Sequence, residues 1–395
     1  MKVADLHLSR WLLAAIASLS PFGVSIMVPL LPLLSTTLDR PVSELQFLVS
    51  IYVIGLAVSQ PIVGIVSDIV GRRPVLIWGF TVFVVASMVL IFIDSLAGLI
   101  WWRFCQALGV GVGTVVARGI IRDHLPPNEA LKAFALLTAA MGFTPVVAPM
   151  AGGFIASIWR VEAVFALLAV VGGLLLLWCV RAIPDMPTPE AGSPLDTHIK
   201  GYSALLRSSV FWGNACAFGF LQGMFFCLLA TGGLMFETYF GIGMQAFGVL
   251  WGSLALIYIL GSFLLSHISA LGTPRWQHRA AGAMLLVSLL APALMATLGL
   301  TLTAVLLPLS CSMLLSGLLT PATMFGAVNA IPKWSGSAAG LSSSVGMSMA
   351  GGFSFIAGKA YEVAPESVMV CFGVAGCGFV LCWWLAHRAP PEHVA

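Results

Sequence analysis

Gly64-Ile-Val-Ser-Asp-Ile-Val-Gly-Arg-Arg-Pro74 is a short charged joint between two long apolar runs. It holds one acid, two arginines and two glycines, in a chain of 395 residues that is 59% hydrophobic and only 8% charged. The runs on either side, near 45–67 and 75–93, are each about the 20 residues that an α-helix needs to cross a bilayer. The mean hydropathy of +1.03 extends that reading to the whole chain. Backbone in lipid must satisfy its own hydrogen bonds, so such runs are helical, and the ten-residue alternation of barrel strands is absent.

Working outward from the joint, the sequence predicts twelve spans. They lie near 11–34, 45–67, 75–93, 98–120, 131–157, 163–182, 210–236, 246–267, 280–298, 301–325, 337–358 and 367–386. The first, with three prolines, is too long for a cleaved leader and reads as a membrane helix. The longest polar interval, 183–209, is rich in Pro, Ser and charge and reads as a linker. The expected fold is an all-α membrane protein: two pseudo-symmetric six-helix bundles, 1–182 and 210–395, joined by that linker. The repeat is weak in sequence. The equivalent joint in the second half, Ser266 to Trp276 (SHISALGTPRW), keeps a Gly and an Arg but lacks the acid.

Of the 18 Lys and Arg residues, Arg40, Arg160 and Lys359 fall on one side and Arg103 within a span. All the others fall on the opposite side, which puts both termini and the linker in the cytoplasm. A net charge of +3, thinly spread, gives no basis for nucleic-acid binding. The eight cysteines lie in or near apolar spans without metal-ligand spacing, and read as small buried residues. The Gly109–Gly113 run (GVGVG) lies mid-helix with no strand before it, so it is no dinucleotide loop. No Ser/His/Asp arrangement suggests bond chemistry, and neither an enzyme nor a cofactor is expected.

Within the opening joint, Gly64 should end the second span where another helix comes close. Asp68 should cap the third span or pair with an arginine, and Gly71 should allow the tight turn. Arg72 and Arg73 alone would equally suit a basic loop that sets topology. Arg103, inside the fourth span, has two readings: it reaches the outer interface beside Trp101 and Trp102, or Gln106, one turn on, holds it inward.

Gly64, Asp68, Gly71, Arg72, Arg73 and Pro74 together resemble the signature loop of the major facilitator superfamily. Two further stretches carry the likeness. Arg103, Gln106, Gly109 and Gly113 resemble its R-x-x-Q-G helix pattern, and Gly142, Pro145, Pro149, Gly152 and Gly153 resemble the Gly/Pro-rich helix of its drug/proton antiporter branch. The run Ala117–Asp123 (ARGIIRD) is most similar to the bicyclomycin- and chloramphenicol-resistance exporters. The resemblance implies an exporter of a small amphipathic compound (a drug, a metabolite or a siderophore), working by alternating access and coupled to protons. An importer or facilitator of a small nutrient on the same fold is the alternative.

The resemblance also implies roles for residues. Asp68, Arg72, Arg73 and Asp123, with Arg118 and Arg122 beside them, would form a conformational latch. Arg103 would serve proton transfer, and the fifth span would be a gating helix. Expected cavity residues are Tyr52 and Gln60, then Asn214, Gln222, Phe226, Trp251 and Tyr258, with Met27, Met141 and Met224 as an adaptable wall. The first span lacks the acid such exporters carry; Glu237, at the end of the seventh, is the nearest substitute, unless the substrate is itself an acid. Expected partners are a small-molecule substrate, protons and the lipid bilayer, for a monomer in a bacterial inner membrane with no nucleic-acid partner.

Overall fold

The computed structural model describes residues 3–185, 195–268 and 275–388. Among them no strand occurs, as full internal hydrogen bonding in lipid requires. The helices are α1 (Val3–Ser25), α2 (Leu31–Leu38), α3 (Val42–Leu45), α4 (Phe47–Val70), α5 (Arg72–Leu90), α6 (Leu96–His124), α7 (Pro127–Ile158) and α8 (Val161–Ala182). They continue with α9 (Leu195–Arg207), α10 (Ser209–Phe240), α11 (Met244–Ile268), α12 (Arg275–Leu298), α13 (Leu302–Asn329), α14 (Ser335–Val363) and α15 (Ser367–Arg388).

Eleven stretches among the described residues are long and apolar enough to cross a membrane. The twelfth expected span corresponds to α14, whose 29 residues are sufficient in length. It carries seven serines and six glycines, so its composition falls short of the same standard. The first span is not one helix: a 3-10 turn at Val28–Leu30 separates α1 from α2, where Pro29 and Pro32 have no N–H to give.

The stretch read as a linker, 183–209, carries the helix α9 in its second part. Proline and charge masked a helix in which Gly201 and Leu205, four residues apart, are buried and Tyr202, Ser203 and Ala204 are half-buried. Burial pushes the Tyr202 phenol up. The first part of the linker, 186–194, and most of the joint at 266–276 lie outside the described residues.

Contacts divide the chain into two units. One comprises Met1–His124, Phe143–Tyr202 and Pro332–Ser344; the other comprises Leu125–Gly142, Ser203–Ile331 and Val345–Ala395. In the first unit α6 is the centre: α1, α4 and α5 all pack on it, and α5 also packs on α8. The span in α6 is 83% buried against 33% for α8. Glycine explains the difference. Gly109 sits against the backbone of Gly79 and Phe83, and Gly113 against the carbonyl of Ile16, so a Cβ at either would strike main chain. In the second unit α10 packs on α13 and α15, α12 on α13 and α15, and α11 on α13.

Candidate functional site: a buried charge cluster and a buried arginine

α4 does not end at Gly64 as expected; it runs on to Val70. Gly71 then turns the chain at φ 102, a conformation that glycine adopts without a Cβ penalty, and α5 starts at Arg72. Arg72 is thereby folded back under α4 at 1% exposure. Its Nη1 meets Asp68 Oδ1 at 2.8 Å and donates to Ser67 Oγ at 2.6 Å. Its Nε and Nη2 donate to Asp123 Oδ2 at 3.2 and 3.0 Å. Nη2 also donates to Ser335 Oγ at 2.7 Å, and that hydroxyl donates to Asp123 Oδ1 at 2.6 Å.

Two carboxylates thus share one guanidinium, and the second negative charge needs an offset. The start of α14 supplies it. Asp68 does not cap α5; it accepts from the backbone N–H of Gly336 at 3.1 Å and of Ser337 at 2.7 Å, and from the Ser337 hydroxyl at 2.6 Å. These are first-turn N–H groups that no helical carbonyl can satisfy, at the positive end of a 29-residue helix. Farther along α14, Ser343 accepts from Arg118, and the Ser344 hydroxyl donates to the Ala57 carbonyl at 2.9 Å. Close approach is possible because Gly64 and Gly340 face each other's helix with no side chain between. Gly336 leaves just the room that the Arg72 and Asp68 side chains fill.

Not every residue grouped with this cluster joins it. Arg73 points elsewhere, to Asp185 Oδ1 at 2.9 Å and the Val180 carbonyl at 3.0 Å, and Asp185 is 81% exposed. Arg122 is partly buried, and its Nε has no hydrogen-bond partner among the described residues. Ser67, Ser335, Gly336, Ser337 and Ser343 were not anticipated. For the last four the one signal was the Ser/Gly-rich run Ser335–Ser344, which could have been read as a helix start built for close packing and capping; nothing marked Ser67.

Arg103 forms a second polar cluster in the same unit. It is fully buried rather than reaching the interface. Its Nη1 donates to Gln106 Oε1 at 2.6 Å and its Nη2 to the Gly23 carbonyl at 2.9 Å; Gln106 Nε2 donates in turn to Ser87 Oγ at 2.7 Å. The ring of Tyr52 covers the guanidinium at 4.1 Å. Arg103 Nε, the Tyr52 hydroxyl and Gln60 Oε1 are buried without a hydrogen-bond partner among the described residues.

The remaining expected residues are spread over both units. In the second unit Asn214 Nδ2 donates to the Val210 carbonyl of its own helix, and Asn214 lies against Gly326, so it serves a helix contact. Gln222 is half-buried. Phe225, Phe226, Phe247 and Trp251 form a chain of rings with centroids 5.4–5.5 Å apart. Met224 is fully buried in that unit's core, while Met27 is buried in the first unit and Met141 is half-buried. Glu237 is exposed. α7 is unbroken through Pro145 and Pro149; Gly142 lies under the Tyr258 ring in the second unit, and Gly152 against Ile26 in the first. A Cβ at Gly153 would meet Pro29 at ordinary contact distance, 3.8 Å.

A multi-pass helical membrane protein with this charged joint matches the family model "Major Facilitator Superfamily" over residues 13–355. The chain belongs to that superfamily, a family of membrane transporters and not of enzymes. It is 30% identical over 267 residues to the uncharacterized MFS-type transporter YdgK of Bacillus subtilis (strain 168), covering 66% of each chain. It is 25% identical over 256 residues to a bicyclomycin resistance protein homolog of Haemophilus influenzae (strain ATCC 51907 / DSM 11121 / KW20 / Rd), covering 64% of each. The matched stretches therefore span less than two thirds of these curated relatives. Among solved structures, the proton:xylose symporter XylE superposes with a TM-score of 0.80 at 13% identity, over 99% of this chain and 97% of that one. At that identity the likeness is one of fold.

Proposed function

We propose that the chain is a secondary transporter of a bacterial inner membrane that exports a small amphipathic compound by alternating access, in exchange for protons. Both termini face the cytoplasm, the sequence divides functionally into 1–182 and 210–395, and the monomer is the working unit. The observation that carries the reading is the Asp68–Arg72–Asp123–Ser335 cluster. A fully buried ion network adds little net stability over apolar packing, yet costs about 3–5 kcal/mol when one partner is removed. Such a network suits an element with two discrete arrangements. It supports a latch that grips the start of α14 in one state of the cycle and lets go in another. Export, rather than uptake, is favoured by the bicyclomycin resistance homolog among the relatives and by the Gly142–Gly153 pattern of α7.

The test is transport into everted membrane vesicles with an imposed pH gradient, using a panel of drugs and siderophores. Export with proton exchange predicts accumulation that collapses with the gradient and is lost in Asp68→Asn. Accumulation indifferent to the gradient would overturn the antiport, and uptake only in right-side-out vesicles would overturn the direction.

A further inference from the structure

Arg103 is a full positive charge, 0% exposed, set inside a membrane helix. Among the described residues no carboxylate pairs with it; every partner is a neutral dipole or a ring face. Buried charge in a membrane is rare and is normally paired or placed on a pathway for ions or substrate. An unpartnered Nε alone does not single Arg103 out, since Arg73 and Arg122 have one too among the described residues. What sets Arg103 apart is complete burial with no carboxylate partner among them, beside an unpartnered hydroxyl. Among the described residues, its Nε and the hydroxyl of the Tyr52 ring stacked on it are both donors without an acceptor, and both residues are completely buried. Leaving two donors unmade beside an uncompensated cation is costly in the unliganded protein. It is also the complement of a carboxylate, which accepts hydrogen bonds only and brings the missing charge.

We infer that the compound carried is an organic anion whose carboxylate is bound by Arg103 and the Tyr52 hydroxyl. This rests on the transport reading above and adds the substrate class to it. Gln106, fixed by Ser87, is a positioning residue: it holds the guanidinium through Nη1, and Nε is the nitrogen without a partner among the described residues. The charge that the first membrane span does not supply then arrives with each substrate molecule.

The experiment compares acids with their neutral amides: 2-naphthoate, indole-3-acetate and nalidixate, each beside the corresponding amide. Binding is read by thermal stabilisation of the detergent-purified full chain at pH 7, where all three acids are ionised. At least one acid is expected to bind at least about tenfold more tightly than its amide, the gain of a charge-assisted pair. Tyr52→Phe should weaken the acid alone, Arg103→Lys should keep the preference for the acid, and Arg103→Gln should remove it. Equal binding of acid and amide in every pair, including no binding of either, overturns the inference in the unmodified protein, whatever the variants do. So does a preference that survives Arg103→Gln. Transport of neutral or cationic drugs unaffected by Arg103→Gln would leave export standing and remove the anion; acid-selective binding with uptake only would do the reverse.

Discussion

Arg72 spends all three nitrogens on buried groups at 1% exposure, whereas Arg73, next to it, reaches an aspartate that is 81% exposed. The two should differ accordingly. Arg72→Gln strands Asp68 and Asp123 together in a buried site and should cost about 3–5 kcal/mol. Arg73→Gln breaks a solvent-screened pair and should cost less than about 1 kcal/mol. Chemical denaturation of the two purified variants checks this; similar losses would mean that Arg73 shares the network after all. The sequence could name Asp68, Arg72 and Asp123 together through their likeness to the superfamily's signature loop and to the charged end of its fourth span. It could not separate Arg72 from Arg73, since both follow Gly71 and only the φ of that glycine decides which one turns inward. Arg103 was legible as an anomaly, and Gln106 at three residues' distance as its holder. Tyr52 as the ring over it was not, because that contact joins residues 51 apart on different helices.

Helix existence and type were readable along most of the chain, because unbroken apolar runs in lipid have one solution. The break of the first span at Val28–Leu30 escaped, and so did two further elements. α9 was hidden by the proline and charge around it. The start of α14 was read as an ordinary span, although its serines and glycines are what let it dock against α4 and α6. At Gly340 an added Cβ would press on the Gln60 carbonyl and on Gly64, both main chain, which cannot swing away. Gly340→Val should therefore push the start of α14 off α4 and break the hydrogen bonds to Asp68 together, while Gly351→Val, in open space on the same helix, should not. Backbone hydrogen exchange of residues 336–344 reads the difference. Equal protection in both variants would show that close packing is not what seats the helix.

At the scale of the whole molecule, one network of six side chains (Ser67, Asp68, Arg72, Asp123, Ser335 and Ser337) and two backbone N–H groups is the proposed element that decides whether the start of α14 is held. Membership of the major facilitator superfamily gives the fold its context, but it does not say that this network is the switch. Ala338, fully buried one residue beyond the Asp68 contacts, is the place to look. The most direct measurement is the rate at which a membrane-impermeant maleimide labels Ala338→Cys in a protein freed of its eight native cysteines, with and without Asp68→Asn. Loss of a buried charge partner worth about 3–5 kcal/mol predicts labelling at least about tenfold faster in the Asp68→Asn protein. Equal rates would contradict the account and leave the Gly64–Pro74 joint as a basic turn that only sets topology.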